Sequence, residues 1–291
     1  MRLQPTNKSL SKSKNRGDGE MGACQEWKIG EWVFLDLPQP LPEGRGENLD
    51  IIIFARISLY RYRYLPRLKD FPMLLKDLRE KVLETGLRMV ADGIAHGSQG
   101  NVSALDRDSD LIAITPSAIP YESMKVEDIC IIDRNRRVVE GKWKPTSEIA
   151  LHTIFYNNRE DVGAVVHSHA PHVTVFAITN QSLPSVLTEA ASCLGGPVPL
   201  APYRSPGTEE LADIVYETIA GGPAVMMAHH GLVTVDANLN QAYDATMAAE
   251  TTARIVIMAR SVGLKEISLD PMENAVMRSI YLLHYHPTLL G

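Results

Sequence analysis

The sequence has few cysteines and no long apolar run. Its three cysteines, Cys24, Cys130 and Cys193, are odd in number and far apart, and no CxxC pair occurs. This pattern indicates neither a disulfide framework nor a zinc site built from thiolates, and it favours reduced thiols in a cytoplasmic protein. No stretch of about 18 apolar residues is present, so we predict no membrane-spanning helix.

An excess of basic residues is also absent. The formal net charge is −6, from 29 Lys and Arg against 35 Asp and Glu, which gives no support to nucleic-acid binding. Neither a Walker motif nor a GxGxxG pattern occurs, so a nucleotide is not the expected ligand. The apolar content of 45% and the charged content of 22% are typical of a soluble globular protein.

The first 70 residues differ in composition from the rest. Residues 1–20 are rich in Lys, Ser, Asn and Gly and offer little to bury, which predicts disorder. We therefore predict a poorly structured N-terminal extension over residues 1–70 and a folded domain over residues 71–291. We also hypothesise that Met73 is the natural start and that the leader is an over-extended translation.

Beyond Met73, patterns of both secondary structures alternate. Apolar residues recur at helical spacing from Leu74 to Val90, which predicts an amphipathic helix. Further along, we predict a short strand over residues 197–201 and the longest helix over residues 239–259. Because strands and helices interleave but include hairpins, the order favours a mixed α/β sandwich over a purely parallel sheet.

Two apolar runs end in histidines. Val165 and Val166 lead into His167-Ser168-His169, and the alternation of side chains along a strand directs both imidazoles to one face. A second run, residues 224–228, ends in His229-His230 and can supply a third nitrogen. Three neutral imidazoles with an open fourth position describe a catalytic zinc site, although a His-x-His pair can also close a strand and hydrogen-bond locally.

Glu148 is the candidate acid or base for such a site. A carboxylate near zinc can either ligate the ion or stand off and move protons. As an isolated acid it can instead simply favour the N-terminus of its own predicted helix, by interaction with the helix dipole.

Three polar turns form a candidate anion pocket. One offers an asparagine carboxamide, one offers a hydroxyl with a following backbone amide, and one offers two hydroxyls at a helix N-terminus, where unpaired N–H groups favour phosphate. Each turn alone is also compatible with ordinary turn and cap chemistry. The residues are Asn101, Ser117, Ala118, Thr146 and Ser147.

Taken together, these motifs resemble the class II aldolase/adducin family, and within it most of all the branch that cleaves L-fuculose 1-phosphate. The resemblance runs from about Leu74 to about Gly263. Five motifs occur in the order of the family: Gly100-Asn101-Val102-Ser103, Thr115-Pro116-Ser117, Thr146-Ser147-Glu148, His167-Ser168-His169 and His229-His230-Gly231-Leu232.

The resemblance implies a three-layer α/β/α sandwich with a mostly antiparallel central sheet. It also implies a homotetramer with active sites between subunits and one zinc ion in each subunit. By position, His167, His169 and His230 would be the zinc ligands, with His229 outside the first shell. Glu148 would be the acid/base and would also ligate zinc in the absence of substrate. The phosphate of the substrate would be held by Asn101, Ser117, Ala118, Thr146 and Ser147.

The implied reaction is a zinc-assisted, reversible retro-aldol cleavage. A ketose 1-phosphate would yield dihydroxyacetone phosphate and an aldehyde. Glu148 would move the proton at C1 of dihydroxyacetone phosphate. The expected partner is therefore a small sugar phosphate, and neither nucleic acid nor membrane. The family also includes pentulose-phosphate 4-epimerases, methylthioribulose-1-phosphate dehydratases, sugar-acid phosphate decarboxylases and non-catalytic adducin-like assembly modules. Its epimerases usually carry Asp where this chain has Glu148, which favours cleavage.

The sequence departs from the family at a few positions. The family aldolases usually have Gly where this chain has Ala118, and we expect alanine to fit only if φ there is not positive. An active-site tyrosine of the fuculose phosphate branch is replaced by Thr188 or Glu189. A catalytic tyrosine near the C-terminus, which reaches into a neighbouring subunit, maps onto Tyr281 or Tyr285.

Overall fold

The computed structural model describes the backbone of residues 25–29 and 32–36, and residues 72–284 throughout. The chain divides into two units, Met1–Asp70 and Phe71–Gly291. In the first unit, strands β1 (Gln25–Ile29) and β2 (Trp32–Asp36) form an antiparallel pair. The disorder predicted for residues 1–20 lies outside the described residues, so the character of the extension stays a prediction.

The second unit alternates strands and helices along residues 72–284. Its strands are β3 (Asn101–Asp106), β4 (Leu111–Ile114), β5 (Cys130–Ile132), β6 (Val138–Glu140), β7 (Ala164–Ser168), β8 (Leu200–Ala201), β9 (Ala224–Met227) and β10 (Gly231–Asp236). Its helices are α1 (Lys76–Ala91), α2 (Ile149–Asn158), α3 (Pro171–Ile178), α4 (Thr188–Leu194), α5 (Glu209–Ile219), α6 (Leu239–Ser261) and α7 (Pro271–His284).

The eight strands of this unit form one central sheet. Their order is β6-β5-β4-β3-β7-β10-β9-β8. Six of the seven neighbouring pairs run antiparallel, and β8 and β9 run parallel. The mostly antiparallel sheet that the family resemblance implied is thereby confirmed.

The sheet has one apolar cluster on each face. Along β7, Ala164 and Val166 belong to a cluster with buried residues of α1, α3 and α6, whereas Val165 belongs to a cluster with buried residues of α2 and α5. Alternation along a strand sends successive side chains to opposite faces, so helices cover the sheet on both sides. This arrangement is the predicted three-layer α/β/α sandwich.

One predicted strand is shorter than expected, and one observed helix was not expected. The strand expected over residues 197–201 is reduced to Leu200–Ala201, because Pro197 and Pro199 have no N–H with which to pair, and Val198 pairs with Leu183 in an isolated bridge instead. Helix α4 was not predicted. Among the described helices, none combines the length and the apolar content needed to cross a bilayer.

Candidate metal centre

Strands β7 and β10 bring three imidazoles together at one end of the sheet. His167 lies in β7 opposite Asn101 of β3 and Val233 of β10, His169 follows β7, and His230 precedes β10. The ring centroids lie 4.8 to 5.3 Å apart, and one nitrogen from each ring lies within 4.8 Å of the others. The three rings can therefore share one ion.

His167 is oriented by a hydrogen bond to the neighbouring strand. Its Nδ1 lies 3.0 Å from the carbonyl oxygen of Leu232, to which the N–H donates, and its Nε2 lies 3.2 Å from Nε2 of His169. Such a bond fixes the tautomer that leaves Nε2 with a free lone pair, as is usual for a histidine that ligates a metal. The side chain of His167 is fully buried.

His229 lies outside this cluster. Its backbone has a φ of 58°, and its exposed ring lies against that of Tyr203, with centroids 6.2 Å apart. The turn it occupies directs the next residue, His230, toward His167.

The carboxylate of Glu148 lies against the cluster. Its Oε2 is 3.2 Å from Nε2 of His167 and accepts a hydrogen bond of 2.9 Å from Nδ2 of Asn101. Its Oε1 is buried, 3.6 Å from Nε2 of His230, and has no hydrogen-bond donor among the described residues. Three imidazoles and one carboxylate with an unsatisfied oxygen are the kind of donor set that holds a catalytic zinc ion, so the residues present fit a divalent metal.

The electrostatics of the cluster keep two of the rings neutral. Burial lowers the pKa of His169 and of His230 to about 4, so both are available as ligands at neutral pH. Burial alone would raise the pKa of Glu148 and lower that of His167, but the attraction between these two groups outweighs burial. The pKa of Glu148 therefore lies below its usual range and that of His167 lies above it.

Two of the three predicted anion-binding turns lie side by side. The N–H of Ser117 donates to the carbonyl oxygen of Lys144 over 2.9 Å, and the N–H of Thr146 donates to that of Thr115 over 3.0 Å. These bonds bring Ser117 and Ala118 next to Thr146 and the exposed Ser147, immediately before Glu148. The third turn differs from these two, because the carboxamide of Asn101 donates its hydrogen bond to Glu148.

Ala118 does not meet the condition under which alanine was expected to fit. Its φ is 60°, in the left-handed region that costs about 1–2 kcal/mol for a residue with a Cβ. The turn between the two paired segments therefore requires the conformation for which glycine is suited.

Tyr281, one of the two predicted C-terminal tyrosines, is not part of this cluster. Tyr281 lies in α7, where burial and then the charge of Asp236 raise its pKa to about 12. Asp236 ends β10, roughly 17 Å along an extended strand from Gly231, so Tyr281 lies toward the opposite end of the sheet from the imidazoles. Tyr285 lies outside the described residues. Thr188 and Glu189 begin α4, which packs against α6 and α7.

Sequence reasoning missed three buried polar residues behind Glu148. His152 contacts Oδ1 of Asn101 through its Nε2, and Ser103 lies 2.7 Å from both His152 Nδ1 and Tyr156 Oη. Burial lowers the pKa of His152 to about 3, so its ring is neutral. The available signal was the spacing: Glu148, His152 and Tyr156 recur every four residues, which places them on one face of α2.

A family model and several known proteins match more than half of this chain. The family described as Class II Aldolase and Adducin N-terminal domain matches residues 80–257. A 5-deoxy-D-ribulose 1-phosphate aldolase of Bacillus thuringiensis serovar kurstaki is 36% identical over 203 residues, which are 69% of this chain and 95% of that protein.

An L-ribulose-5-phosphate 4-epimerase of Salmonella paratyphi B is 28% identical over 224 residues, which cover 73% of this chain and 97% of its own length. Among solved structures, an L-fuculose 1-phosphate aldolase superposes with a TM-score of 0.69 at 33% identity. It covers 72% of this chain and 98% of its own.

Gly231→Ala should weaken metal binding. A Cβ at this position would lie 2.4 Å from the carbonyl oxygen of Ser168 and 3.3 Å from ring carbons of both His167 and His169. We expect the zinc affinity, measured by competition with a chromophoric chelator, to fall about 10- to 100-fold, the range seen when groups that orient ligands are disturbed. Gly222→Ala, which meets only the carbonyl oxygen of Ile219, should leave it unchanged. Equal affinities of the two variants would contradict the prediction.

Ala118→Gly should stabilise the fold. The substitution relieves the left-handed strain, but glycine also raises the conformational entropy of the unfolded chain, which offsets part of the gain. We expect the free energy of unfolding in urea to rise by up to about 1 kcal/mol. Ala91→Gly, at an exposed position in the last turn of α1, should instead lower it by about 0.5–1 kcal/mol. A similar loss in both variants would show that position 118 is not strained.

Proposed function

The chain belongs to the class II aldolase and adducin family, and we propose that it is a zinc-dependent aldolase that cleaves a ketose 1-phosphate reversibly into dihydroxyacetone phosphate and an aldehyde. The main supporting observation is the position of Glu148, whose carboxylate lies 3.2 Å from one imidazole of the cluster and 3.6 Å from another. Two relatives named as aldolases of sugar 1-phosphates, at 36% and 33% identity, support the same reaction class.

His167, His169 and His230 would hold the metal, with Glu148 as a further ligand before substrate arrives. A divalent cation at this site supplies a Lewis acid that stabilises negative charge on the oxygens next to the bond that breaks. A donor set of three imidazoles without thiolates favours zinc with an exchangeable position.

Glu148 would move the proton at the hydroxyl-bearing carbon next to the carbonyl, which is C3 of the ketose 1-phosphate and C1 of the dihydroxyacetone phosphate that is released. Its Oε2 accepts the hydrogen bond from Asn101, whereas its Oε1 has no donor among the described residues. The first oxygen fixes the carboxylate, and the second can take or return a proton. The low pKa of Glu148 means that the group is ionised at neutral pH and starts the condensation direction as a base.

The paired turns before Glu148 would hold the phosphate. Ser117, Thr146 and Ser147 offer hydroxyls, and the backbone N–H of Ala118 lies at the same turn. Because Ser147 directly precedes Glu148, a phosphate bound here would hold the three-carbon half against the base. This leaves the aldehyde half free to vary among substrates.

The other activities of the family are less well supported. An epimerase is among the relatives, at 28% identity, but the family's epimerases usually carry Asp in place of Glu148. A methylthioribulose-1-phosphate dehydratase or a sugar-acid phosphate decarboxylase would use the same zinc ligands. A non-catalytic, adducin-like module would not need the intact set of three imidazoles and one carboxylate.

We also propose that the enzyme is a cytoplasmic homotetramer with active sites between subunits. If Tyr281 is the catalytic tyrosine that the family resemblance implies, it lies too far from the imidazoles of its own chain and would act in a neighbouring subunit. Met272, Val276, Ile280 and Leu283 of α7 are exposed apolar side chains that a second copy could cover.

A screen of ketose 1-phosphates tests the proposed function. The zinc-loaded enzyme is offered the 1-phosphates of fuculose, rhamnulose, ribulose, 5-deoxyribulose and 5-methylthioribulose, and dihydroxyacetone phosphate is measured by coupled reduction. We expect release from at least one of them, loss of release with a chelator, and recovery with zinc. A pentulose 5-phosphate is offered in parallel, and its epimerisation without cleavage of any of the 1-phosphates would refute the aldolase proposal.

Glu148→Gln should retain zinc and lose cleavage. The substitution leaves the three imidazoles in place but removes the group that moves the C1 proton, so kcat should fall by about 10²- to 10⁴-fold. Zinc content is measured by mass spectrometry, and Glu217→Gln, at an exposed position of α5, serves as the control. A Glu148→Gln variant with unchanged turnover would exclude Glu148 from the mechanism.

A further inference from the structure

Five buried polar side chains form one continuous line from the metal centre into the interior. Glu148 accepts from Asn101, Asn101 contacts His152, His152 contacts Ser103, and Ser103 contacts Tyr156. All five are between 0 and 6% exposed. Buried polar groups are costly unless paired, and here each is paired with the next.

The fold brings these residues together from two elements. Asn101 and Ser103 alternate with Val102 and Ala104 along β3, and these two apolar residues belong to the cluster on the opposite face. The polar pair therefore faces α2. On that helix and its cap, Glu148, His152 and Tyr156 follow one another at intervals of four residues and face the strand.

The hydrogen bonds of this line can run in one direction only. An ionised Glu148 can only accept, so Asn101 presents Nδ2 to it and Oδ1 to His152. His152 must then carry its proton on Nε2, which leaves Nδ1 as the acceptor of the Ser103 hydroxyl. Because Ser103 has a single hydrogen, the phenol of Tyr156 donates to Ser103. Each group donates toward Glu148.

We propose that His152 is a positioning residue for the base: supported by Ser103 and Tyr156, it fixes the amide of Asn101 so that Nδ2, and not Oδ1, meets Glu148. The role rests on the proposed function of Glu148. Without the Nε2–H donor, the amide can rotate by 180° and bring an oxygen against the carboxylate. Glu148 would then move away from the position in which its free oxygen can exchange a proton.

The activity test measures proton exchange at C1 of dihydroxyacetone phosphate in heavy water by NMR. This reaction reports on the base and needs no knowledge of the aldehyde. His152→Leu removes both ring nitrogens, and we expect its kcat to fall about 10- to 100-fold, with KM and zinc content close to those of the wild type. His152→Gln, which restores an N–H near the position of Nε2, should recover most of the loss.

Two milder variants cover the case in which His152→Leu does not fold. Ser103→Ala should lower the exchange rate less than His152→Leu does, and Tyr156→Phe should lower it least, because each acts one hydrogen bond further from Glu148. A wild-type rate in His152→Leu, or a loss confined to KM or to the zinc content, would overturn the positioning role alone. A wild-type enzyme that exchanges no C1 proton would overturn the proposed aldolase function, and this role with it.

A second test is independent of activity. In protein labelled with ¹⁵N-histidine, the ring nitrogen shifts distinguish the two neutral tautomers, and the signal of His152 is assigned by its loss in His152→Gln. We expect the Nε2–H tautomer. The Nδ1–H tautomer would reverse the direction of the line and overturn the proposal.

Discussion

The hydrogen bond from His167 to the carbonyl oxygen of Leu232 is the contact on which the rest of the site depends. It fixes the only fully buried ring of the cluster and leaves Nε2 directed at His169 and Glu148. Leu232 lies in β10, two residues after His230, so the strand that begins directly after the third imidazole also sets the tautomer of the first. A shift in the pairing of β7 with β10 would therefore disturb both ligands at once.

Much of this arrangement could be predicted from the sequence because it follows from local rules. Alternation along a strand places His167 and His169 on one side, and the apolar run before His230 indicates a second strand that ends at the same edge. The order of hairpins and helices predicts a mixed sheet with helices on both faces. These features depend on neighbours in sequence, and the structure has them.

Contacts between distant segments could not be predicted in the same way. Asn101 and Glu148 are 47 residues apart, and no pattern in the sequence indicates that the asparagine amide bonds to the carboxylate. The strain at Ala118 depends on the pairing of its turn with residues 144–146. The position of Tyr281 depends on how α7 packs, and the sequence gives only the helical spacing of α7.

The line of polar side chains behind Glu148 has a closed end. Tyr156 is 3% exposed, and burial raises the pKa of its phenol, so the line ends at a buried side chain and not at the surface. In the positioning role that we propose, the line holds an orientation and does not carry protons. If Glu148 is the base that we propose, the protons that it gains and loses would pass through Oε1, on the side of the partly exposed His230, and not through the interior of the sheet.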